Sequence, residues 1–260
     1  MLNSCHGTWC SHLDKRQYGV RLTLTNIRFS VGISGAFYAS VVVVGLQFVL
    51  SQELQLAQSF TPLQAGLFVM PIAMGSIVAG PLLGSVLFRF GAERMMAFAL
   101  GIATLGLILY TSMWLYSEPF WQIVSLGVTG FGLGGVMSVG STLIMINAPE
   151  DKAGMAGALE GISYELGGTI GGAVMGSIMA SVYSRTFTPP AEALLPPNAW
   201  DSLDQTLIVV SKLSAEMAEK VSEAGKATFM TGVSATLIGT TIITIVVFVS
   251  MAVYARNKRP

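Results

Sequence analysis

The sequence predicts an all-α integral membrane protein with six transmembrane helices. Charge is scarce: of 260 residues, 52% are hydrophobic and 11% charged, against about a quarter charged in a soluble domain. The apolar residues gather in six runs, several longer than the roughly 18 residues that span a bilayer. Those runs are continuous rather than alternating, which requires helices and excludes a barrel.

The first run covers residues 31–51 and the second 65–88, both uncharged. The third covers 95–116, the fourth 120–148, the fifth 155–183 and the sixth 229–254. QELQLAQSFTPLQ separates the first two, and Thr61 and Pro62 read there as a helix cap and first-turn proline. RFGAER, SEP and NAPEDKAG mark the next three breaks. The chain thus divides into a tail at 1–30, spans at 31–183, a long loop at 184–228, a last span at 229–254 and a basic tail at 255–260.

Charge position orients the bundle. Lys15, Arg16, Arg21 and Arg28 precede the first span, Arg89 and Arg94 lie between the second and third, and Lys152 precedes the fifth. Arg256, Lys258 and Arg259 close the chain, whereas the breaks holding Glu53 and Glu118 carry no Lys or Arg. The positive-inside rule then puts both termini in the cytoplasm and the 184–228 loop outside. In that loop Leu203, Leu207, Val210, Leu213, Met217, Val221 and Ala224 recur at helical spacing, which predicts an amphipathic surface helix with Asp201 or Ser202 as its cap.

Glycines concentrate in the second, fourth and fifth spans. Gly130 and Gly134, and Gly168 and Gly172, are each four apart, the small-xxx-small spacing that lets helix backbones approach. Pro71 and Pro81 predict kinks in the second span.

Two acids interrupt the fifth span, Glu160 and Glu165 in ALEGISYELGG. Ionisable groups at bilayer depth are costly and usually mark a function such as a proton relay. Five residues place them about 140° apart and about 7 Å apart in depth, with Glu165 the deeper. Tyr164 lies one turn from Glu160, within hydrogen-bond reach, and Gly167 and Gly168 are expected to draw a neighbouring helix over Glu165. Phe37, Tyr38 and Phe131 are further aromatic candidates for holding a cation.

Other chemistries find little footing. Cys5, His6, Cys10 and His12 fall in CHGTWCSH, and thiolate and imidazole are zinc ligands. Four ligands within one short stretch lack a second framework, so an unstructured tail without metal is expected. No HExxH, GxSxG or nucleotide loop occurs in the spans, so neither an enzyme nor a cofactor is expected. A formal net charge of zero gives no reason to expect nucleic acid.

Four stretches carry a family resemblance: SQELQLAQSFTPLQAGLFVMPIAMGSIVAGPLLG at 51–84, GSVLFRFGAER at 84–94, APEDKAGMAGALEGISYELGGTIGGAVMGS at 148–177, and the long loop at 184–228 before the last span. The chain resembles the C-terminal half of major facilitator transporters, in particular the 14-helix drug:proton antiporters of the methyl viologen and quaternary ammonium type. The second stretch is similar to the facilitator loop signature through Gly84, Arg89, Gly91 and Arg94, with Phe88 where that signature has its acid. The resemblance implies one six-helix half of a facilitator fold in the bacterial cytoplasmic membrane. It implies that Glu160 and Glu165 serve proton coupling or recognition of organic cations, and Tyr164, beside an acid, is the aromatic candidate to join them. Some relatives carry a second acid where this chain has Gly161. An N-terminal half, or a second copy, is implied as the partner that completes the pathway, with lipid around both.

Overall fold

The computed structural model describes residues 26–116, 119–190, 193, 195–211 and 213–257. The tail with Cys5, His6, Cys10 and His12, and the charges at Lys15, Arg16, Arg21, Glu118, Lys258 and Arg259, lie outside the described residues. Helix α1 is Ile27–Gln52, α2 Pro62–Phe90, α3 Ala92–Tyr116, α4 Pro119–Ile146 and α5 Ala153–Thr186. A short α6 (Leu203–Val210) follows, then α7 (Ala215–Asn257). All but α6 contribute a segment long and apolar enough to cross a membrane.

Local chemistry sets the helix ends. The Asn26 side chain accepts from the Arg28 backbone N–H at 3.1 Å and starts α1 earlier than its apolar run, so Arg28 belongs to the first turn. A π turn, Glu53–Ala57, finishes that rod. Thr61 and Gln64 cap each other reciprocally at the start of α2, with Pro62 in its first turn as expected. Helix α2 runs through Pro71 and Pro81 and stops at Gly91, whose φ of 86° is open to glycine at little cost. The Gly91 N–H still donates to the Leu87 carbonyl at 3.0 Å, so α3 can begin at once.

The helices pair through small residues. Helix α1 lies along α5, α4 along both α2 and α3, and α7 against α3 and α5. Helix α4 is the most enclosed span. A methyl group built on Gly130 would overlap the Ile72 carbonyl oxygen, and one on Gly134 would come 2.5 Å from the Ser76 Cα. On α5 a methyl at Gly168 would lie 3.1 Å from Val44, but one at Gly172 meets nothing within 4 Å. The expected close approach at Gly172 falls instead to Gly171, where a methyl would overlap the Val41 carbonyl oxygen. One residue is about 100° of helix, enough to turn Gly172 off the α1 face.

Hydroxyls inside the spans bond to their own helices. Thr236, Thr240, Thr241 and Thr244 are buried in α7 and each donates to the carbonyl four residues earlier. Such back-bonding leaves no unpaired donor in a region without water. Ser76 Oγ is 2.9 Å from the Gly130 carbonyl, and Tyr38 Oη donates to Thr244 Oγ1 at 2.6 Å, tying α2 to α4 and α1 to α7.

The amphipathic helix expected over 203–224 is two pieces. Helix α6 ends at Val210, and 215–224 form the first turns of α7, continuous with the last span. Buried Thr206 holds α6 down by bonding Tyr183 Oη and the Ala199 carbonyl, each at 2.6 Å. Gly225 gives it room on α7: a methyl there would lie 3.1 Å from Leu203 and 3.2 Å from Tyr183 Oη.

Candidate functional site

Helix α5 carries the intramembrane acids on different faces, as their spacing requires. Ala156, Glu160, Ser163, Gly167 and Gly171 are buried on one side, toward α1. A methyl at Gly167 would come 2.5 Å from the Phe37 carbonyl oxygen, so the backbones nearly touch there. Glu160 is 9% exposed, and Tyr164 Oη donates to its Oε1 at 3.0 Å, the bond anticipated from their one-turn spacing. Ser40 of α1 donates to the Tyr164 carbonyl at 2.6 Å and fixes that turn against its neighbour.

Glu165 lies on the opposite, exposed side with Ile162, Leu166 and Ile170. Among the described residues no hydrogen bond or ion pair reaches its carboxylate. The expected enclosure of Glu165 by the helix that Gly167 and Gly168 admit does not occur. Those glycines admit α1 on the side where Glu160 sits, and Glu165 is left on a face that the described residues do not cover. Tyr38 is committed to Thr244, Phe131 is half-buried against the core, and Phe37 presents its carbonyl to Gly167.

One end of the bundle gathers the basic loop. Arg28, Arg89, Phe90, Gly91, Glu93, Arg94 and Ala255 line a pocket of about 300 Å³. Gly84 sits two turns earlier on α2, with Ser138 of α4 3.9 Å from a methyl built on it. Glu93 is the residue sequence reasoning passed over here: its Oε1 is 2.9 Å from Arg28 Nε. An acid in the first turn of α3 beside a basic first turn of α1 is the signal that points to the pair.

The other end holds a second overlooked acid. Glu53 lies in the π turn after α1, only 2% exposed. Trp114 Nε1 donates to its Oε1 at 2.7 Å and Gln58 Nε2 at 3.3 Å, while Oε2 is buried without a partner. Its signal in the sequence is the position, one turn after Val49 and Leu50 on the buried face of α1. Beside it, between α1, α5, α6 and α7, is a cavity of about 540 Å³ whose walls include Phe48, Gln52, Met179, Asp204 and Phe229.

These features define a multi-pass membrane protein with one acid tied down inside a span and another on an open helix face. The family model "Major Facilitator Superfamily" matches residues 12–172. The chain belongs to that superfamily. It is 28% identical over 222 residues to "Methyl viologen resistance protein SmvA" of Salmonella typhimurium, covering 84% of this chain and 43% of that protein. It is 28% identical over 213 residues to "Multidrug efflux pump LfrA" of Mycolicibacterium smegmatis, covering 81% and 42%. With "Multidrug resistance protein Stp" of Mycobacterium tuberculosis it shares 27% identity over 190 residues, 71% and 35%. A crystal structure of the facilitator transporter FucP in the outward conformation aligns with a TM-score of 0.49 at 16% identity, over 85% of this chain and 49% of that one. The chain thus spans less than half the length of the curated relatives it matches.

Proposed function

We propose that this chain is the C-terminal half of a proton-coupled exporter of organic cations in the bacterial cytoplasmic membrane. The observation that carries this reading is the placement of the two acids on α5: Glu165 on the uncovered face, Glu160 one and a half turns away and held by Tyr164. A facilitator pathway runs between two six-helix bundles, so an acid on the uncovered face belongs to the pathway wall. An organic cation at that depth has lost its hydration, and a carboxylate with an aromatic neighbour is what replaces it. A proton on the same carboxylate removes the charge the cation needs, so the two exchange for one another. Glu160, bonded and nearer the basic end, serves as the proton's station between Glu165 and water. The partner wall is an N-terminal half or a second copy of this chain. Basic residues Arg28, Arg89, Arg94, Lys152 and Arg256 collect at one end, which supports the reading of that end as the cytoplasmic one.

The test joins this chain behind the N-terminal half of the Salmonella relative and measures proton movement in proteoliposomes after ethidium is added. Glu165→Gln keeps the shape and fixes the neutral form. It is expected to leave insertion intact and abolish the drug-driven proton signal, with Glu160→Gln milder. Full coupling in Glu165→Gln would remove that residue from the mechanism, and a larger defect in Glu160→Gln would reverse the order.

A further inference from the structure

The basic pocket at the end of the bundle carries more positive than negative charge. Three arginines, Arg28, Arg89 and Arg94, line it together with one acid, Glu93. Glu93 is taken by Arg28, through Nε at 2.9 Å. Among the described residues neither Arg89 nor Arg94 is in an ion pair. Two guanidinium charges are therefore left uncompensated within a pocket of about 300 Å³. Within the loop sequence RFGAER the one acid is Glu93, so the loop supplies no second internal partner for them.

Depth says what supplies the missing negative charge. The uncharged run of α2 ends at Phe88, one residue before Arg89, and that of α3 starts at Met95, one residue after Arg94. Both arginines stand where hydrocarbon gives way to headgroups. Phe90, the last residue of α2 and between them in sequence, is 53% exposed and also lines the pocket. A guanidinium matches a phosphate through paired N–H donors, and an exposed ring beside it suits a glycerol backbone and the first methylenes of an acyl chain. Basic pockets between spans at this level fit anionic headgroups, whereas an ammonium headgroup would be repelled by the net charge.

We infer that this pocket binds the phosphate of an anionic phospholipid, with Arg89 and Arg94 on the phosphate, Arg28 positioned by Glu93 as a third donor, and Phe90 against the lipid's glycerol end. The bound lipid ties the α2–α3 loop to the ends of α1 and α7, which reach the same pocket through Arg28 and Ala255. This inference does not depend on what the chain transports.

The experiment uses the chain itself, purified into nanodiscs of phosphatidylcholine with or without phosphatidylglycerol. Retained lipid is counted by native mass spectrometry and the unfolding midpoint is read in parallel. The wild-type chain is expected to retain phosphatidylglycerol and to unfold about 3 °C higher in its presence. Arg89→Gln combined with Arg94→Gln is expected to lower that retention about tenfold and abolish the shift, since each arginine near an anionic surface contributes modestly. Lys152→Gln removes one charge at the same end without touching the pocket and is expected to behave as wild type. If the double variant does not fold, Arg89→Gln and Arg94→Gln singly carry the test, each with reduced retention. Arginine variants that hold the lipid as well as the wild type would overturn the inference, as would an equal loss in Lys152→Gln. A shift of the same size from inorganic phosphate in phosphatidylcholine discs would also overturn it, by showing a site for free phosphate rather than lipid.

Discussion

The indole nitrogen of Trp114 donates to the carboxylate of Glu53 at 2.7 Å, joining the far ends of α3 and α1. Trp114→Phe removes that donor and leaves the buried carboxylate with Gln58 alone. A hydrogen bond to such a group is worth about 1 to 3 kcal/mol, so a loss near 2 kcal/mol is expected in detergent unfolding. Glu53→Gln retains an acceptor for the indole and should lose less. Equal stability of Trp114→Phe and wild type would mean that the bond does not hold these ends together.

Neighbouring glycines on α5 should answer differently to one added methyl. Gly171→Ala pushes into the Val41 carbonyl and must separate α1 from α5, at about 1 to 3 kcal/mol. Gly172→Ala meets nothing and should stay within about 0.5 kcal/mol of wild type. Comparable unfolding midpoints for the two variants would contradict the α1–α5 packing.

Orientation can be read by thiol labelling after Cys5 and Cys10 are replaced by serine. Cysteines placed singly at Ser202 and Asn257 lie at opposite ends of α7's neighbourhood. An impermeant reagent applied to intact cells should label Ser202→Cys, and Asn257→Cys only after permeabilisation. The opposite pattern would invert the proposed orientation.

The chain expressed by itself should insert and yet give no resistance to methyl viologen, because one bundle supplies one wall of a facilitator pathway. Growth rescued by this chain alone would show that two copies face each other across the pathway.

The six spans were legible because an uncharged run of sufficient length has few alternatives. The Tyr164–Glu160 bond was legible too, since four residues on a helix fix both side chains on one face. What stayed hidden depended on partners distant in sequence. Gly171 and Gly172 look alike until α1 is laid beside them. Glu53 reads as a loop charge until Trp114, 61 residues away, is brought to it. The side of α5 that holds Glu165 could not be read from its glycines, because they report that some helix approaches and not from which direction. Residues 215–224 read as the second part of a surface helix separate from the last span, and instead run straight into it as the first turns of α7, with Leu203 and Tyr183 against Gly225.

Helix α7 contains no proline and runs unbroken for 43 residues, about 64 Å at the usual rise. That is roughly twice the thickness of the hydrocarbon core. Such a rod behaves as a lever whose fulcrum is its contact with α3 and α5. A tilt of only about 5° would carry one tip roughly 6 Å relative to the other, given that length. Anything that grips the exposed Glu219 and Glu223 near its first turns, an antibody fragment included, therefore gains mechanical purchase on the opposite tip at Ala255.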